Sequence, residues 1–260
     1  MFSRKYQEFT CPIDENMRLW FENAYLWLNG QFGNDHMLQK NILLPTPSCF
    51  PIKYDGSMSS VEETAKIIAG QMDIDFSKIN IEIYDQGLTV INGDLGHAIY
   101  PEFDNSSEVK QSSGMYFGKN ETGQYDIFIE KRNLSFPVNL AATISHEFAH
   151  IKLLGENRIE ENDEILTDLT TVVYGLGIFN SISAFEEFKN NSAFGYNSIG
   201  YMKQQEWGYC LALYAFDRNI EKPDWLKYLT QNIQSDFNKS MNYINANRDK
   251  IFNGEPPGSS

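Results

Sequence analysis

Between Phe136 and Gly155 the chain reads FPVNLAATISHEFAHIKLLG, and no other run limits its folding so tightly. Ser135 offers an N-cap, Pro137 suits a first helical turn and Gly155 offers a left-handed stop, so one helix is expected over residues 137–154. Leu140, Ile144, Phe148 and Ile151 recur at helical spacing and belong on its core face. A helix this apolar has to be buried, yet it carries His146, Glu147 and His150. Imidazoles four residues apart lie one above the other on the same face. Glu147 follows His146 by about 100° around the same turn. Burying unpartnered imidazoles is costly, so the fold must bring something to meet them. Two solvated histidines would share the spacing, but the apolar surroundings argue against that arrangement.

Around this helix the periodicity predicts an α+β chain. Helices are expected over 12–32, with Gly30 as a stop, and over 58–72, capped by Ser59 or Ser60. INIEIYD (79–85) and GQYDIFIEK (123–131) alternate apolar and polar residues as half-buried strands do. Residues 44–57, with three prolines and a glycine, and the polar stretch 104–114 read as connections. EILTDLTTVVYGLGIF reads as one apolar helix and 189–200 as a loop, with two further helices over 202–218 and 223–246. The expected organisation is an α/β portion (1–115), a core with C-terminal helices (116–254), the two forming one compact unit, and a frayed tail (255–260).

A net charge of −14 without a basic stripe argues against nucleic-acid partners. No run of apolar residues is long enough for a membrane span and no signal-like segment opens the chain, so a cytoplasmic protein is expected. Cys11, Cys49 and Cys210 are far apart, with no CxxC pair, which argues against a cysteine zinc site or a disulfide framework.

The chemistry therefore rests on His146-Glu147-Phe148-Ala149-His150. Both imidazoles can reach one metal ion, and the Glu147 carboxylate can then accept a proton from water held by that metal. A catalytic zinc usually takes three protein ligands. His36 and His97 are isolated upstream. Downstream, Glu164-Ile-Leu-Thr-Asp168 places two carboxylates on one helix face. Helix-dipole preference alone would account for Glu160, Glu161, Asp163 and Glu164 at a helix start, but not for Asp168 in the apolar part.

These motifs resemble the gluzincin metallopeptidases over residues 125–179. SHEFAHIKLLG and EILTDLTTVVYGLGIF are similar to uncharacterised bacterial zincin-like proteins carrying HExxHxxLLG followed by ExLTDL. The resemblance implies a zincin-like fold with an upper edge strand at 125–130, an active-site helix and a glutamate helix. It implies Zn2+ bound by His146, His150 and Glu164, with Asp168 accepting the outer N–H of a ligand histidine, His146 by preference. Glu147 would be the general base, Tyr201 or Tyr209 the oxyanion donor, and a peptide or protein the substrate. The spacer between His150 and Glu164 is shorter than in thermolysin, and the lack of a third histidine after His150 excludes the metzincins. A zinc hydrolase of non-peptide amides or esters, and a non-catalytic binding or regulatory module, are the alternatives; retention of Glu147 counts against the second.

Overall fold

The computed structural model describes residues 9–85, 88–93, 96–101, 114–184, 187–190, 193–196 and 201–253; between 88 and 101 and between 187 and 196 the description is of the backbone. In chain order the elements are α1 (Glu15–Phe32), α2 (Asn34–Gln39), α3 (Met58–Gln71), β1 (Ile79–Tyr84), β2 (Leu88–Gly93), β3 (Gly96–Pro101), β4 (Gly114–Lys119) and β5 (Tyr125–Glu130). There follow α4 (Pro137–His150), α5 (Glu164–Val173), α6 (Gly177–Ser183), β6 (Glu187–Asn190), β7 (Ala193–Tyr196), α7 (Gln204–Asp217) and α8 (Gln231–Ala246). The class is α+β, with a small sheet in the first half and mostly helices in the second. Among the described residues no helix is long and apolar enough to cross a membrane. All three cysteines are free.

Helix starts follow the capping chemistry, with the caps displaced from some expected positions. Asp14 accepts from Met17 N at the head of α1, and Ser57, rather than Ser59 or Ser60, caps α3 through Ser60 N. α1 runs through Gly30 and ends at Gly33. Ser135 does not cap α4; the chain enters from Phe136 without a side-chain cap, and Pro137 occupies the first turn.

The end of α4 also departs from expectation. Straight after His150 the helix widens into a π turn, Ile151–Gly155, closed by Glu156 N on Ile151 O; such turns often occur at functional sites. Gly155 is not the left-handed residue. That conformation falls to Asn157, with φ 56°. Gly155 is instead required by packing, since a Cβ there would lie 2.7 Å from the Tyr125 ring and 2.9 Å from the Tyr116 hydroxyl.

Downstream, the expected single helix divides into α5 and α6 at Gly175, whose φ is 76°. The region 223–246 holds a short 3-10 turn (Asp224–Tyr228) before α8. The span expected as a loop carries most of the antiparallel hairpin β6–β7. Residues 104–113 and the tail 254–260 lie outside the described residues.

β1, β5 and β4 form one sheet in that order, with β1 parallel and β4 antiparallel to β5. Tyr125, Ile127 and Ile129 point into the core, as their alternation predicts. But 125–130 is the central strand and not an edge, because β4 covers its outer side. The division after residue 115 falls inside β4, and β1 pairs with β5 across it. α4 packs against α3, β4, β5, α5 and α6, so its polar groups sit deep in the molecule. Leu140, Ile144, Phe148 and Ile151 are all buried.

Candidate metal centre

α4 and α5 lie side by side, and the facing residues are the ones spaced four apart on each. His146 Nε2 is 3.1 Å and His150 Nε2 3.5 Å from the same oxygen, Glu164 Oε2. Ligand atoms of His146, His150 and Glu164 all fall within 4.8 Å of one another. Behind them, Asp168 Oδ1 lies 3.0 Å from His146 Nδ1. The outer nitrogen of His150 faces Thr167 Oγ1 at 3.5 Å, and that hydroxyl donates to Asp163 O at 2.8 Å. With its hydrogen committed there, the Thr167 oxygen is left as an acceptor for His150 Nδ1–H.

Both partners favour a ring hydrogen on Nδ1, and in the neutral rings that tautomer leaves the Nε2 lone pairs facing Glu164. A site made of two lone pairs and a carboxylate oxygen suits a divalent cation, and nitrogen plus oxygen donors in this number suit zinc. The neighbouring acids are engaged otherwise. Asp163 caps α5 by accepting from Leu166 N, and Glu160 and Glu161 are exposed.

Glu147 is buried on the same helix beside His146. Burial pushes its carboxyl up to about 7, opposed by the His146 charge and reinforced by Glu164. Burial disfavours the charged form of His146 too, but its hydrogen bonds to Asp168 and Glu164 outweigh that and raise its pKa well above the ordinary value. His150 is driven down by burial and by the charge on His146. Burial resists charge on Glu164, yet the hydrogen bond and charge of His146 hold its carboxyl below the usual range.

The walls of the site are aromatic. Tyr201 stacks on His146, with ring centroids 6.5 Å apart, and Tyr116 of β4 stacks on His150 at 6.0 Å. Tyr201 is half exposed, and its backbone N–H donates to Asp168 Oδ2 at 2.9 Å. Tyr209 is elsewhere: fully buried, its hydroxyl donates to Glu22 on α1 at 2.6 Å. The structure therefore brings His146, Glu147, His150, Glu164, Asp168 and Tyr201 together and leaves Tyr209 out. Of the two remaining histidines, His36 pairs with Asp73 on the surface and His97 lies in β3.

Three contributors escape a reading of the sequence. Thr167 orients His150, and its place between Glu164 and Asp168 was the available signal. Tyr116 needed the strand pairing. Gly114 opens β4 directly against α4, where a Cβ would sit 2.8 Å from Glu147 Oε1 and 2.5 Å from Thr143 Cγ2. Nothing in the local sequence marks that contact.

No protein-family model, curated protein or solved structure matches this chain.

Proposed function

We propose that the chain is a zinc-dependent hydrolase, gluzincin-like in its ligands and zincin-like in fold, that cleaves peptide bonds. The observation that carries this reading is the convergence of His146 Nε2, His150 Nε2 and Glu164 Oε2, each imidazole backed by an acceptor on its outer nitrogen. Those three residues would hold the ion. Bound zinc supplies Lewis acidity, which makes a water acidic near neutral pH and polarises a carbonyl. The chain's own residues do the rest. Glu147 accepts the proton that the attacking water sheds and returns it to the leaving amine nitrogen. Asp168 and Thr167 keep the two imidazoles in the ligating tautomer. Tyr201, whose half-exposed ring stacks on His146, would donate its hydroxyl hydrogen to a developing oxyanion.

Elemental analysis of metal-replete protein tests the premise: close to one equivalent of zinc is expected, and none in His146→Ala. Glu147→Gln keeps the shape of the side chain and removes the base, so it is expected to retain zinc and to hydrolyse a peptide library about 10²–10⁴-fold more slowly. Absence of zinc from the wild type would sink the reading. Loss of zinc in Glu147→Gln would make that residue a ligand or a structural group rather than the base. Cleavage of amide or ester substrates but of no peptide would move the activity to the non-peptide class.

A further inference from the structure

Asp168 has a second side that orienting His146 does not use. The residue is 1% exposed, and its two oxygens point in different directions. Oδ1 meets His146 Nδ1, while Oδ2 accepts two successive backbone N–H groups, from Tyr201 at 2.9 Å and Met202 at 3.2 Å. Consecutive amides converging on one oxygen make an anion cradle, and a buried carboxylate makes strong hydrogen bonds to it. The next residue is fixed as well: Lys203 N donates to Glu206 Oε2 at 2.7 Å, and Met202 is buried. The short segment that presents Tyr201 is therefore tied at one end to the start of α7 and at the other to the carboxylate behind His146.

We propose that Asp168 is a two-ended positioning residue which couples metal binding to the placement of Tyr201, so that filling the centre also orders the 201–202 segment. The inference rests on the zinc reading above. A metal on His146 Nε2 fixes the remaining ring hydrogen on Nδ1 and locks the ring's position, which anchors Oδ1 more firmly. Oδ2 then stands still for its two amides. By reciprocity, a held segment strengthens metal binding.

Only a carboxylate serves both ends. In Asp168→Asn, if the amide oxygen stays with the Tyr201 and Met202 N–H groups, the NH2 faces His146 Nδ1. That nitrogen must then accept, its hydrogen moves to Nε2, and the ligating lone pair is lost. If the amide is turned over, its NH2 confronts two N–H donors and the segment is released. One end is lost in either case.

Hydrogen exchange at the Tyr201 and Met202 amides reads the coupling without reference to activity. In the wild type, adding zinc is expected to slow exchange there by about 5–150-fold, the usual range for coupled sites. In Asp168→Asn at saturating zinc the slowing is expected to vanish. Zinc binding that leaves these amides unchanged in the wild type overturns the inference and spares the hydrolase reading, whether or not the variant folds. Zinc-dependent slowing that persists in Asp168→Asn also overturns it. Failure of the wild type to bind zinc at all overturns both.

Discussion

Glu22 on α1 and Glu164 on α5 sit on helices that pack against each other, and both face basic groups. Glu22, 1% exposed, accepts from Arg18 Nη1 at 2.6 Å, from the Tyr209 hydroxyl at 2.6 Å and from Phe252 N at 3.0 Å. Every partner is a donor, so the network closes on itself and fastens α1 to α7 and to the chain beyond α8. Glu164 Oε2 instead faces two imidazole nitrogens whose outer N–H groups are already committed to Asp168 and Thr167. A proton on His146 Nε2 bridges to Glu164; with that proton gone, two lone pairs and a carboxylate oxygen converge, and a cation can take its place. Glu22 is fully buried among donors and serves as scaffold, whereas the partly buried Glu164 faces two ring nitrogens that could share a cation with it.

Breaking each network separates the two roles. The largest effect is expected at Glu164→Ala. On the proposed reading it removes one of three ligands, so zinc affinity in a chelator competition is expected to fall well beyond the ~10–100-fold expected for losing an outer partner. Unchanged affinity would transfer the ligand role to another group.

Glu22→Ala strands the buried Arg18 and is expected to cost about 3–5 kcal/mol in urea unfolding, toward the lower figure because Arg18 also holds Glu15. Zinc content of the folded fraction stays at one equivalent. A variant that loses zinc along with stability would show that the two networks are not independent.

The tyrosines give a smaller, crossed pair of outcomes. Tyr209→Phe is expected to lose about 1.5–3 kcal/mol of stability, since a hydrogen bond to a charged group disappears, with kcat unaltered. Tyr201→Phe is expected to keep its zinc while kcat falls, by up to ~10²–10³-fold if it is the oxyanion donor. The reverse pattern would reassign the tyrosine role.

The smallest effect belongs to Glu160→Gln and Glu161→Gln. Both acids are exposed and are expected to leave zinc affinity and unfolding unchanged within about 0.5 kcal/mol. A marked drop in affinity for either would mean that the acidic connection, and not the α4–α5 face alone, serves the metal.

Much of this arrangement was legible because helical neighbours are set by local geometry. Residues four apart share a face wherever the helix goes, so His146 with His150, and Glu164 with Asp168, were paired before any fold was known. The alternation of Tyr125, Ile127 and Ile129 likewise settled which side of β5 is buried, because strand side chains alternate by construction.

What resisted reading depends on partners distant in the chain. The central place of β5 is decided by β4 joining its outer side, a pairing that the composition of 114–119 does not announce. Gly114 matters because that pairing sets it against Glu147. Tyr201 and Tyr209 each follow a glycine near the start of one helix and look alike in sequence. Only the packing parts them: α7 begins at Gln204, which leaves Tyr201 ahead of the helix, held by Asp168 beside His146, and carries Tyr209 inside it, turned toward Glu22 on α1. Local spacing thus determined which side chains act together. Which elements meet, and so which tyrosine faces His146, was decided by long-range burial, because the hydrophobic effect is non-directional and leaves no local signature of its partners.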